Sequence, residues 1–163
     1  MASWWGSRAR QFRAHVRASI GPAERTGLEA WLTDPQLALF DGMHIADRRH
    51  GLDVAATLRG DGVTDPEVLL AGLLHDAGKG LTGVWPRVVY ALGQRYGSWI
   101  PRVVGVLPPA RAAQARLRDH AAVSASLAGA AGCSPRTVEL IRHQDAPVDP
   151  EAGRLLQLAD EAN

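Results

Sequence analysis

Apolar residues recur along this chain every three or four positions, which is the spacing of helices that bury one face. Residues 69–77 show the pattern clearly, with Leu69, Leu70, Leu73, Leu74 and Ala77. No part of the sequence alternates β-branched and polar residues as a half-buried strand would. The pattern predicts an all-α fold, a single-domain bundle of about seven or eight helices.

Four helices are predicted to begin where a capping residue directly precedes proline: Asp34-Pro35, Asp65-Pro66, Ser134-Pro135 and Asp149-Pro150. The oxygen of the capping side chain accepts a hydrogen bond from an N–H of the first turn. Proline suits that turn because it has no N–H to leave unpaired. We therefore expect helix starts at all four positions.

Two further helices are predicted around histidines. The first covers residues 46–59, turns His50 inward, and stops at the glycine-rich sequence that follows. The second covers the alanine-rich residues 109–131, carries His120, and ends at Gly132 in a left-handed cap. Each of these helices would bring one histidine into the bundle.

Two segments stand apart from the main pattern. Residues 1–40 are predicted to form an N-terminal helical extension, ahead of a main domain over residues 41–163. Residues 81–107 combine aromatic, aliphatic and arginine side chains at helical spacing, as a basic amphipathic helix would. Such a helix can contact an anionic membrane surface, or it can pack as a lid or a dimer contact. We expect packing, because most amphipathic stripes face a protein core.

Charge and cysteine content narrow the function classes. Lys and Arg total 18 against 17 Asp and Glu, so the net charge of +1 gives no general reason to expect a nucleic-acid partner. The one cysteine, Cys133, cannot form an internal disulfide or a cysteine-based zinc site. The sequence also contains no apolar stretch with the length of a membrane span and no apolar core of a secretory signal near residue 1. These features predict a cytoplasmic protein.

The strongest chemical signal is a histidine and an aspartate, His75-Asp76, at the end of an otherwise apolar helix. A buried ionised carboxylate is costly unless a partner compensates its charge, and a cation bound by both side chains would do so. Alternatively, Asp76 is an exposed helix cap and His75 bonds to a backbone carbonyl. Helices of a bundle can direct side chains to one centre. Other predicted helices carry four more candidate ligands: His50, His120, His143 and Asp160.

These residues resemble the pattern of the HD superfamily of metal-dependent phosphohydrolases, which is a histidine, a His-Asp pair and a distant aspartate. The matching sequences are Asp47-Arg48-Arg49-His50, His75-Asp76-Ala77-Gly78-Lys79 and Leu158-Ala159-Asp160. Many members with two metals have two further histidines, to which His120 and His143 correspond. Several members have His-His where this chain has His143-Gln144. The resemblance covers residues 41–163.

The resemblance implies an HD-type helical bundle with a metal centre of one or two divalent ions, such as Fe, Mn, Ni or Mg. The ligands of the first ion would be His50, His75, Asp76 and Asp160. Asp76 would bridge to a second ion held by His120 and His143. The centre would activate water against the phosphate ester bond of a small phosphorylated substrate such as a nucleotide.

Two cationic side chains would complete this site. Lys79 is the only lysine and follows Asp76 by three residues, so its ammonium could bind a substrate phosphate and assist catalysis. A surface lysine beside a glycine-rich helix end is the alternative interpretation. Arg49 or Arg48 could bind the same phosphate, and the resemblance favours Arg49 because it lies directly before His50.

Two other functions fit the same ligands. Some HD-fold proteins hold a mixed-valence di-iron centre and oxidise their substrate with dioxygen, and others are regulatory modules with a degenerate site. The presence of all six candidate ligands disfavours a degenerate site, and Lys79 favours phosphate esters. We therefore expect a phosphomonoesterase or a phosphodiesterase.

Overall fold

The structure is a computed structural model, in which residues 19–80 and 119–163 are described. The predictions made for residues 1–18 and for the amphipathic segment 81–107 lie outside the described residues. The two ranges contain every candidate site residue named above. They therefore suffice to build the candidate site.

The described residues form seven α-helices, one 3-10 turn and no strand, which confirms the all-α prediction. In chain order they are α1 (Pro22–Glu29), α2 (Asp34–Gly42), α3 (Ile45–Gly60), α4 (Pro66–Leu74), the 3-10 turn (Ala77–Lys79), α5 (His120–Ala130), α6 (Pro135–Arg142) and α7 (Ala152–Ala162). Within these two ranges, no helix is both long enough and apolar enough to cross a bilayer.

The predicted caps largely form as expected. Three of the four capping side chains accept a hydrogen bond from a backbone N–H of the following turn, at 2.8–3.2 Å: Asp65, Ser134 and Asp149. The helix start predicted at Asp149 is nevertheless wrong by two residues, since α7 begins at Ala152 with Glu151 in the cap position. The start predicted at Asp34 is wrong by one residue, since α2 begins at Asp34 and Thr33 precedes it as the cap. The reason is the side chain of Gln36, whose oxygen accepts a bond from the backbone N–H of Thr33 at 3.0 Å.

The core is a single cluster of apolar side chains shared by all seven helices. Residues 19–40, which belong to the predicted extension, contribute Leu28, Leu32 and Phe40 to it. The largest buried side chains nearer the candidate site are Leu58, Leu73, Leu74, Ile141 and Leu156. Because a core of this kind excludes water, any polar side chain inside it needs a partner.

Helices α3 and α4 cross at a point where only glycine fits. A Cβ atom at Gly51 would lie 2.3 Å from the backbone oxygen of Leu73, well inside van der Waals contact. The close crossing brings the helix end at His75 next to α3, and the rings of His50 and His75 meet edge to face with centroids 5.2 Å apart. The packing of two helices therefore places the first two histidines together.

A second close contact joins the 3-10 turn to α5. A Cβ atom at Gly78 would lie 2.5 Å from the backbone oxygen of His120, and the N–H of Gly78 donates to Oγ of Ser124 at 2.7 Å. Residues 109–118 of the predicted helix over 109–131 lie outside the described residues. The prediction is wrong at Asp119, which lies before the first helical residue, His120, with φ −100° and ψ 8°. The left-handed cap at Gly132 is confirmed, with φ +78°.

Candidate metal centre

Three side chains from three different parts of the bundle converge on one point. His50 comes from α3, His75 follows α4, and Asp160 lies near the end of α7. Oδ1 of Asp160 is 2.7 Å from Nε2 of His50 and 3.4 Å from Nε2 of His75. Each residue offers one ligand atom, and these atoms all lie within 4.8 Å of one another. Ligands about 2.1 Å from one cation lie about 3.0–3.4 Å apart. The contact between His75 and Asp160 has this spacing. His50 and Asp160 are closer because they hydrogen-bond directly, so a bound cation would have to replace that hydrogen bond.

Asp76 adds a fourth donor to this triad. Its Oδ1 atom is 3.5 Å from Nε2 of His75 and 3.7 Å from Nε2 of His120. The residue is only 2% exposed, and its Oδ1 atom has no hydrogen-bond partner among the described residues. The ammonium of Lys79 bonds to the other oxygen, Oδ2. The alternative interpretation of Asp76 as an exposed helix cap is therefore wrong.

His75 presents a lone pair to these carboxylates. Its Nδ1 atom donates to the backbone oxygen of Gly72 at 2.9 Å, so in the neutral ring the other nitrogen, Nε2, carries no proton. That Nε2 atom is buried and has no hydrogen-bond partner among the described residues, yet it faces oxygens of Asp76 and Asp160. A lone pair directed at carboxylate oxygens is repulsive unless a proton or a metal cation lies between them. A histidine that binds a metal through one ring nitrogen usually donates a hydrogen bond from the other, and Nδ1 of His75 does so to the carbonyl of Gly72.

The electrostatics of the cluster favour a positive charge at this point. Burial opposes the charge of His75, but the carboxylates of Asp76 and Asp160 outweigh it and raise the pKa of His75 to about 9. Burial likewise opposes ionisation of Asp76, but His75 and Lys79 hold the pKa of Asp76 well below its usual range. Burial also opposes ionisation of Asp160, but the hydrogen bond from His50 and the nearby imidazole of His75 outweigh it and hold the pKa of Asp160 far below its usual range. Both carboxylates are therefore ionised at neutral pH, and a bound divalent cation would replace the proton of His75.

Lys79 is part of the cluster rather than a remote surface lysine. Burial opposes its charge, but Asp76, Asp47 and Asp160 together raise the pKa of Lys79. The side chain remains 24% exposed, and that of Asp160 is 42% exposed. The cluster therefore reaches solvent on the side where these two groups lie.

Asp47 is a residue of this site that the sequence analysis did not select. It is buried, lies on α3 three residues before His50, and adds to the attraction on the ammonium of Lys79. The signal that could have found it is its position on the same helix stripe as His50, where an acidic side chain one turn away shares the inward face.

Two predicted site residues are directed elsewhere. The guanidinium of Arg49 is bonded to Glu24 at 2.6 Å and to Asp53 at 2.8 Å. His143 is 39% exposed, and its Nε2 atom lies 3.3 Å from Oε2 of Glu139. Among the described residues, neither side chain makes a hydrogen bond or ion pair with the cluster.

Gln144 occupies the place beside His120 that the sequence analysis assigned to His143. It is 6% exposed, and its amide Nε2 donates to Nε2 of His120 at 3.0 Å. In the sequence, Gln144 stands out only as a departure from the His-His pattern. Nothing in the sequence indicates which of these two neighbours faces inward.

The arrangement of donors can hold a divalent metal ion. The triad of His50, His75 and Asp160 supplies two imidazoles and one carboxylate, a donor set suited to divalent transition-metal ions, and the buried Oδ1 atom of Asp76 lies next to it. In comparisons with known proteins, no family model, no curated protein and no solved structure matches this chain.

Proposed function

We propose that this chain is a metal-dependent phosphohydrolase of the HD type. The single observation that carries the proposal is the pair of buried atoms, Nε2 of His75 and Oδ1 of Asp76, which face each other at 3.5 Å without a hydrogen-bond partner among the described residues. Buried polar atoms are almost always paired, so two of them side by side indicate a missing ligand. A cation satisfies both atoms at once.

The ligand set leaves room for chemistry. The four side chains His50, His75, Asp76 and Asp160 would leave coordination positions open, as catalytic rather than structural metal sites do. A divalent cation bound there would supply Lewis-acid charge and lower the pKa of a water molecule. The carbonyl of Gly72 fixes the tautomer and the orientation of His75.

Lys79 supports phosphate esters as the substrate class. Its ammonium is held beside the cluster by Asp76 and remains partly exposed. An ammonium has three donors and can bond to more than one oxygen, including a phosphoryl oxygen. The His-Asp-Ala-Gly-Lys sequence, which resembles the HD pattern, supports the same assignment. The expected substrate is a small phosphate ester such as a nucleotide.

The proposal is tested by metal analysis followed by an activity panel. Purified protein is stripped with a chelator, reloaded with Mn²⁺, Fe²⁺, Ni²⁺ or Mg²⁺, and assayed for phosphate release from monoesters and diesters. We expect Asp76→Asn to lose both the metal and the turnover. Asp61→Asn is the matched control, because Asp61 is an exposed residue at the end of α3.

Three results would contradict the proposal. Wild-type protein that binds none of these ions would remove the metal site. Turnover that survives in Asp76→Asn would place the chemistry elsewhere. Oxygen uptake by the iron-loaded protein, without phosphate release from any ester, would favour the oxygenase alternative. Thermal unfolding of both variants shows whether a loss reflects the site or the fold.

A further inference from the structure

We propose that this centre is built for one divalent cation, and that Lys79 and Gln144 occupy the position at which a second ion would sit. The inference rests on the proposed metal site and goes beyond it, because it assigns the number of ions and the origin of the second positive charge. It replaces the bridged two-ion arrangement with an ion beside an ammonium.

The first supporting observation concerns the end of α6. His143 and Gln144 are neighbours in the chain, and only one of them faces inward. Gln144 is buried and bonds to His120, whereas His143 lies at the surface against Glu139. A second ion held by His120 and His143 would need both imidazoles on the same side. The amide of Gln144 donates to Nε2 of His120. This is the nitrogen of His120 that faces Asp76, and therefore the one that would bind a second ion.

The second observation concerns the two oxygens of Asp76. A carboxylate that bridges two ions offers one oxygen to each of them. Here Oδ1 faces His75 and His120, and Oδ2 is bonded to the ammonium of Lys79. If Oδ1 binds the first ion, Oδ2 is the oxygen left for a second one, and it is already bonded to the ammonium of Lys79.

This arrangement gives Lys79 a defined role. In a two-ion site the second metal stabilises negative charge on the phosphoryl oxygens. Here the ammonium of Lys79 would do so as a point charge with three donors. Removing its charge should therefore reduce turnover far more than it reduces the occupancy of the ion held by His50, His75 and Asp160.

The number of ions is measured on the full chain loaded with Mn²⁺. Elemental analysis should give one manganese per chain, and electron paramagnetic resonance should show the hyperfine pattern of an isolated ion. Two ions per chain, or the spectrum of a spin-coupled pair, would overturn the inference while leaving the proposed function intact. No bound ion would overturn the proposed function itself, so the two failures are distinguishable.

Two variants test the residues assigned to the second position. His143→Gln should keep one ion per chain, because His143 faces Glu139; loss of manganese from this variant would overturn the inference. Lys79→Met combined with Gln144→His removes the ammonium and supplies an imidazole, and should raise the content towards two ions with a coupled spectrum. A folded double variant that still binds one ion would show that these residues do not occupy the second position.

Discussion

A single methyl group at residue 51 should separate the two helices that carry the first histidines. In Gly51→Ala the new Cβ atom would lie 2.3 Å from the backbone oxygen of Leu73 and 3.1 Å from its carbonyl carbon. These are backbone atoms in the last turn of α4, so no side-chain rotation relieves the clash. The helices must move apart instead.

The size of the effect follows from that distance. Ordinary van der Waals contact begins at 3.4 Å, so α3 must withdraw from α4 by about 1 Å at this point. Overpacking of this kind costs about 1–3 kcal/mol, and alanine regains about 0.5–1 kcal/mol through its better helix propensity. We expect a net loss of about 1–2 kcal/mol in the free energy of unfolding, which lowers Tm by about 2–8 °C in a domain of this size.

The same movement should weaken metal binding. It shifts His50 relative to the other two donors; Oδ1 of Asp160 lies 2.7 Å from Nε2 of His50 and 3.4 Å from Nε2 of His75. Displacing a ligand's support typically lowers metal affinity by about 10-fold or more. Thermal unfolding by circular dichroism and competition with a chromogenic chelator measure the two effects separately.

Gly60→Ala is the control for this prediction. Gly60 ends the same helix, and a Cβ atom there would meet nothing within 4 Å. It should leave Tm and metal affinity unchanged or slightly raise Tm. If Gly51→Ala matched Gly60→Ala in both measurements, the close crossing of α3 and α4 would be refuted.

Three further predictions concern other parts of the molecule. Gly78→Ala should lower the free energy of unfolding by about 1–3 kcal/mol, because its Cβ would lie 2.5 Å from the backbone oxygen of His120; a melting curve equal to that of wild type would contradict it. Removing the metal with a chelator should lower the free energy of unfolding by about 3 kcal/mol when the ion was present at about 100 times its Kd. A Tm that does not change on addition of chelator would contradict a metal bound in the native state. The hydrogen bond from Arg136 holds the pKa of Asp65 below its usual range. The stabilisation of the folded state by this pair is therefore present above about pH 4 and is lost as the pH falls further. Asp65→Asn keeps a good N-cap but should show a shallower loss of stability below pH 4 in acid titrations; an unchanged slope would refute the pairing.

Features fixed by local interactions are predictable from the sequence. Helix α3 was expected over residues 46–59 and forms over Ile45–Gly60. The caps at Asp65 and Ser134 depend on atoms within three residues, so the sequence already contains both partners. The left-handed residue Gly132 ends α5 for the same reason.

Features decided by distant residues or by backbone direction at a helix end are not predictable in this way. Arg49 was expected to bind substrate phosphate, but Glu24, which is 25 residues away, approaches its guanidinium in the folded chain. The choice between His143 and Gln144 depends on the direction of the backbone at the end of α6, where His143 has φ −106° and ψ 20°. Both side chains are polar, so no pattern of hydrophobic positions distinguishes them.

The glycines link the packing of this bundle to its candidate site. Gly51 follows His50 directly, and Gly78 follows Asp76 by two residues. At both positions a Cβ atom would meet backbone of a neighbouring helix at 2.3–2.5 Å. The absence of two side chains therefore brings α3 against α4 and the 3-10 turn against α5, and each close approach carries a candidate ligand with it. Because helices with larger residues at such crossings pack 8–10 Å apart, a chain with alanine at these two positions could keep every histidine and aspartate and still lose the spacing that one cation requires.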